Sequence, residues 1–165
     1  LTLREPTGKQ RGKVFPIPDN LYAQWRLNNG SALLFHEDHE VPPERLLQAV
    51  WQHQRLLRHE LRMTDGRPVR VLHPGFLSRE GGPDFKGAVI QIGDSPPQTG
   101  DVEVDLASSS WRAHGHDRNP AFKNVILHVI WSSEKLANCT PPVLAIGTKL
   151  DAPVTELGFW LNSES

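Results

Sequence analysis

The stretch "GGPDFKGAVIQIGDSPPQTGDVEVDL", Gly81 to Leu106, sets Asp101, Glu103 and Asp105 on alternate positions of a segment that reads as a strand. Side chains alternate between the two faces of a strand, so these acids share one face and Val102, Val104 and Leu106 share the other. Neighbours on that face lie roughly 6.5–7 Å apart, near enough for like charges to repel. An ordinary solvated face prefers a mixture of Thr, Lys, Arg and Glu to a row of carboxylates. A divalent cation reverses the sign of the repulsion. Asp84 stands upstream behind Gly81-Gly82-Pro83, a turn that can hold a carboxylate at the mouth of a hairpin. If the strand after Asp84 runs antiparallel to the strand carrying Glu103, the two carboxylates come together. Such hard oxygen donors suit Mg²⁺ or Mn²⁺, with the backbone carbonyl of Val104 as a further ligand and water in the remaining positions.

Histidines add a second chemistry. "WRAHGHDRNP" spaces His114 and His116 two apart, and His128 interrupts the apolar run "VILHVIW". His-x-His is half of a zinc, iron or nickel site, or a loop held by ring-to-backbone bonds. Asp117 does not complete a cupin-like set. A buried imidazole needs a partner on at least one nitrogen, so His128 either makes a structural contact or faces the site as a base.

These residues need elements to position them. "VPPERLLQAVWQHQRLLRHELRMTDG" predicts a long helix, opened by Pro42-Pro43 and stopped at Gly66, with Leu46, Leu47, Val50, Gln54, Leu57 and Leu61 on its apolar stripe. Arg55, Arg58, His59 and Arg62 then lie on its flanks, and Glu60 beside the stripe is a candidate auxiliary acid. "RPVRVLHPG", "FKGAVIQIGD" and "GDVEVDLA" predict three strands separated by Gly and Pro clusters. A short helical segment follows in "SSSWRAHGHDRNPAFKN". "VILHVIW", apolar on both faces, predicts a strand in the middle of a sheet. "PVLAIGTKL" and "TELGFWLNSES" predict a last strand and the start of a helix. Trp51, Trp111 and Trp131 read as packing residues rather than base-stacking platforms. Residues 1–41 read as an extended arm with short elements, "LYAQWRLNNGSALLF" among them.

Pro83-Asp84 followed by Glu103-Val104-Asp105, on an order of helix, three strands, helical segment and strand, resembles the PD-(D/E)XK signature and core of metal-dependent nucleases. The resemblance spans roughly Pro42 to Trp131. It implies an α/β fold with a mixed sheet flanked by helices, a core over 42–135, and a final strand and start of a C-terminal part over 136–165. It further implies Mg²⁺ or Mn²⁺ held by Asp84 and Glu103, and phosphodiester cleavage of nucleic acid. Arg55, Arg58 and Arg62 are then the candidates to contact the phosphate backbone. One departure stands out. Asp105 occupies the position at which those nucleases usually carry a Lys, which leaves the base and phosphate-clamp roles to Lys86, His114, His116 or His128.

Longer literal stretches, "TDGRPVRVLHPGF", "GGPDFKGAVIQIGD", "GDVEVDL" and "SSSWRAHGHDRNPAFKNVILHVIW", closely resemble an uncharacterised bacterial family catalogued as domain of unknown function 2851. That resemblance covers most of Leu46–Trp131 and implies no activity, because the family itself has none assigned. Its members are usually longer than this chain.

Bulk properties narrow the function classes. A net charge of −1 argues against a general nucleic-acid binder. The first 79 residues nevertheless hold 12 Lys and Arg against 8 acids (+4), and the remainder 6 against 11 (−5). A basic half beside an acidic one suits a metal site flanked by a phosphate-contacting surface, and equally two halves that neutralise each other. One cysteine, Cys139, allows no internal disulfide. With no apolar run long enough to cross a membrane, the cytoplasm is the expected location. The reading is therefore a metal-dependent nuclease. Its rivals are a catalytically inactive nuclease-like module that binds nucleic acid or protein, and a His/Asp metallohydrolase acting on a small substrate.

Overall fold

The computed structural model describes residues 41–132 and 140–163. The expectations for residues 1–40 and for Cys139 lie outside the described residues. Helix α1, Glu44–His53, follows Pro43 and carries the acidic Glu44 in its first turn, favourable to the helix dipole. Leu46, Leu47, Val50 and Trp51 form its buried face. Full burial of one such side chain stabilises by about 1.5–3 kcal/mol, so this face alone fixes the helix.

The expected continuation to Gly66 does not occur. Gln54 adopts φ 53° and its side-chain amide donates to the Trp51 carbonyl at 2.7 Å, closing the helix. Beyond it the chain is claimed by tertiary pairing. Leu56 bridges Leu150, and the Leu57 amide donates to the Lys149 carbonyl. One 3-10 turn, Arg58–Glu60, follows, and Arg62 bridges Pro68 across a tight turn containing Gly66 at φ 88°. Leu56, Leu61 and Met63 are buried by this path rather than by helical periodicity.

Strands β1 (Val69–His73), β2 (Phe76–Leu77), β3 (Phe85–Ile92), β4 (Gln98–Asp105), β5 (Val125–Ile130) and β6 (Val143–Ala145) form one mixed sheet. Its order is β1-β3-β4-β5-β6, with the short β2 also on β3. The β1–β3 and β3–β4 pairs are antiparallel, while β4–β5 and β5–β6 are parallel. The parallel step from β4 to β5 needs a crossover. It is made by the short helix α2, Ser110–Ala113, and two 3-10 turns, His116–Arg118 and Pro120–Phe122. Helix α3, Val154–Ser163, packs near α1, with Arg55 lying 5.0 Å over the Trp160 ring. No helix among the described residues is long and apolar enough to cross a membrane. The fold is therefore α/β, a curled mixed sheet flanked by helices.

Strand alternation divides the sheet by chemistry. Phe85, Val102, Val104, Leu127 and Val129 join the α1 residues, Leu144, Ile146 and Leu157 in the apolar core. Glu103, Asp105 and His128 alternate with these core residues and are themselves buried. Trp111 and Phe122 of the crossover cover this second face. Gly100 allows β4 and β5 to approach, since a Cβ there would meet Ile126 Cγ2 at 2.4 Å and the Asn124 carbonyl at 2.8 Å.

Candidate metal centre

The site forms where β3 begins, at the point where β4 runs on past its last β3 partner while still paired with β5. Phe85 pairs with Val102, and beyond that point β4 has no β3 partner. Asp84 takes over. Its Oδ2 accepts from the Val104 backbone N–H at 3.1 Å, and its own N–H donates to Glu103 Oε2 at 3.1 Å. Gly82, at φ 125°, makes the turn that delivers Pro83 and Asp84 to this fork. Val104 enters the site through its N–H.

Asp105 lies two residues further along β4. One of its oxygens, Oδ2, is 2.9 Å from His128 Nε2, and the other, Oδ1, is 3.5 Å from His114 Nδ1. His116 Nδ1 stands 3.5 Å from Glu103 Oε1. Its ring is stacked on Phe122 at 3.9 Å and meets Trp111 edge-on at 5.3 Å. His128 contacts Trp111 at 5.4 Å from the other side. The crossover therefore clamps two imidazoles over the acids. His116 Nδ1 is fully buried and has no hydrogen-bond partner among the described residues.

The electrostatics are those of crowded acids without a counter-charge. Burial pushes the Glu103 carboxyl up to about 8, with the neighbouring Asp84 and Asp105 adding to the shift and the Asp84 N–H opposing it. Burial likewise raises Asp84 to about 6, against the pull of the Val104 N–H and the Gln48 amide. His116 is lowered, first by burial. Ligand atoms of Asp105, His114 and His116 all lie within 4.8 Å of one another, so this Asp/His/His group can hold a metal ion. The orphaned His116 nitrogen fits that role, because a buried polar atom without a partner is costly.

Other expected site residues lie elsewhere. Asp101 does not join the acid cluster through any contact seen; its Oδ1 accepts from the Gly87 N–H at 3.2 Å, at the bulge where β3 shifts register. Lys86 is half-exposed, with Nζ 3.9 Å from Glu80. Glu60 pairs with Lys149 at 3.2 Å. Arg55 binds Asp151 at 2.8 Å, Arg58 donates to the Val71 carbonyl and Arg62 to the Gly66 carbonyl. These three arginines are occupied by local bonds rather than by the acid cluster.

Two residues were not foreseen. Gln48 donates to Asp84 Oδ1 at 3.1 Å, and the charge of Glu44 raises both Asp84 and Glu103. Both belong to α1, one helical turn apart, so the helix does supply an acid and an amide, but from its first half.

A family model described as "Protein of unknown function (DUF2851)" matches residues 44–156. The chain belongs to that family. Every group of the site, from Glu44 and Gln48 to His128, lies inside the DUF2851 region. No curated protein and no solved structure matches the chain.

Proposed function

We propose that this DUF2851 chain is a divalent-metal-dependent phosphodiesterase acting on nucleic acid, built on a PD-(D/E)XK-type core. The observation that carries the reading is the convergence of Asp84, Glu103 and Asp105 at the β3–β4 fork, with the first two carboxyls raised to about 6 and about 8, first by burial and then by neighbouring carboxylates. Supporting it is the element order: α1, an antiparallel run through β1, β3 and β4, a crossover, and β5 parallel to β4. Asp84 immediately precedes the middle strand of that run and Glu103 lies on the last, the positions of the acids in the nuclease signature.

Asp84 and Glu103 would hold Mg²⁺ or Mn²⁺, and a cation there supplies stabilisation of charge on phosphate oxygens and a nucleophile at neutral pH. The chain's own groups do the rest. Gln48 and the Val104 N–H fix both oxygens of Asp84. Glu103 is oriented by the Asp84 N–H. His128 holds one oxygen of Asp105, and the more exposed His114 faces the other through Nδ1. Phe122 and Trp111 keep water from one side.

The direct test is incubation of the protein with plasmid, single-stranded DNA and RNA under Mg²⁺, Mn²⁺ or chelator, beside Asp84→Ala and Glu103→Ala. Metal-dependent cleavage lost in both variants is the expected result. Cleavage persisting in both refutes the site. A second reading, a metallohydrolase of small phosphoesters, is favoured by the engagement of Arg55, Arg58, Arg62 and Lys86 outside the cluster. Turnover of bis-p-nitrophenyl phosphate without cleavage of polymer would select it.

A further inference from the structure

Beside the all-oxygen pair Asp84–Glu103 stands a cluster of imidazoles, His114, His116 and His128, around Asp105. Mg²⁺ and Mn²⁺ favour carboxylate, carbonyl and water, whereas imidazole favours zinc, iron and nickel. Asp105, His114 and His116 present one oxygen and two nitrogen donors within 4.8 Å of one another. The arrangement is prepared rather than incidental. His116 is nine-tenths buried, its ring is fixed between Phe122 and Trp111, and its Nδ1 has no hydrogen-bond partner. Asp105 is buried as well, and His128 occupies its Oδ2 at 2.9 Å, leaving Oδ1 directed toward His114. A partner that fixes one carboxylate oxygen while the other ligates is a recurrent support of metal sites. His114 is 54% exposed, so its ring can rotate to close on an ion without disturbing the core.

We propose that Asp105, His114 and His116 form a second cation position, selective for a nitrogen-preferring transition ion of the Zn²⁺, Fe²⁺ or Co²⁺ class, adjacent to the oxygen-only position at Asp84 and Glu103. Glu103 lies between the two: its Oε1 is 3.5 Å from His116 Nδ1 and its Oε2 accepts from the Asp84 N–H. The centre then holds two unlike ions, and the nitrogen-rich one stands whether or not the chain cleaves nucleic acid.

The experiment titrates chelator-treated protein with Co²⁺, followed by visible absorption, and with Zn²⁺, followed by calorimetry. Wild type, His114→Gln, His116→Gln and Asp84→Asn are compared, with circular dichroism as the check on folding. The expected result is a stoichiometric Co²⁺ band with nitrogen-ligand character, displaced by Zn²⁺ but not by equal Mg²⁺. It persists in Asp84→Asn. In His114→Gln and His116→Gln binding weakens more than ~10-fold, the least that even an outer partner of a metal site costs. The exposed His114 keeps the test sound if His116→Gln fails to fold. Absence of stoichiometric Co²⁺ and Zn²⁺ binding overturns the proposal, as does wild-type affinity in folded His114→Gln. Equal loss in Asp84→Asn and His114→Gln overturns the division into two positions.

Discussion

Glu103→Gln in the metal-free protein tests the electrostatic account most directly. The substitution removes the charge but keeps an oxygen to accept from the Asp84 N–H, so the 3.1 Å bond survives. Glu103 is 7% exposed, and burial, then Asp84, raises its carboxyl from the ordinary 4.5 to about 8. The folded chain therefore holds this proton more tightly than the unfolded chain does. Its contribution to stability is fully present below 4.5 and is lost as pH rises toward 8. Each pH unit in that window is worth about 1.36 kcal/mol, which sets an upper figure of roughly 5 kcal/mol; relaxation and water penetration bring the expected loss to about 2–4 kcal/mol. The assay is urea denaturation in chelator at intervals from about pH 5 to about pH 8. The difference in unfolding free energy between Glu103→Gln and wild type should grow with pH, at up to about 1.36 kcal/mol per unit. Saturating Mn²⁺ should flatten the wild-type slope, because the cation replaces the proton. Parallel curves in chelator would refute the reasoning, since they would mean that Glu103 is already ionised in the folded chain.

Glu44→Gln removes a charge that raises both Asp84 and Glu103, so the acid limb of metal binding should move to lower pH, read by titration with Mn²⁺. His128→Leu takes the 2.9 Å partner from buried Asp105 and should cost about 1–3 kcal/mol in denaturation, with Asp105→Leu added to it recovering most of the loss. Gly100→Ala forces a methyl to within 2.4 Å of Ile126 Cγ2 and should lower stability by about 1–3 kcal/mol, read as a fall in melting temperature. Trp51→Phe leaves the Pro74 carbonyl without its 3.0 Å donor and should cost about 1 kcal/mol.

Much of this arrangement was legible in the residues. Gly and Pro clusters located β1, β3 and β4, and the apolar run around His128 located β5, because strand ends and burial are written in local composition. The bond from the Asp84 N–H to Glu103 agrees with the antiparallel relation of their strands. Where the reading failed, a distant partner outweighed a local preference. Leu57 and Leu61 keep a helical period, yet Lys149 and Pro68 draw that segment into extended pairing after Gln54. Asp101 keeps the alternation of an acid row, yet the β3 bulge at Gly87 gives its carboxylate another partner. Gln48 could be placed on α1, but its bond to Asp84 depends on where the helix crosses the sheet, which no spacing within the helix encodes. The two-residue β2 is held by its ladder to Lys86 and Phe85 rather than by its own pattern.

Asp84 answers the Val104 amide at the fork, and that double employment changes how its presence in related chains should be read. An acceptor is demanded at this position by the backbone, whatever chemistry goes on beside it. A chain with no activity at all would still be under pressure to keep Asp84, so its retention is weak testimony of activity. His114 is the more candid witness. More than half exposed, with a 3.5 Å contact to Asp105 and a ring contact with His116, it carries little of the fold, and drift there would register the loss of any chemistry at the site first.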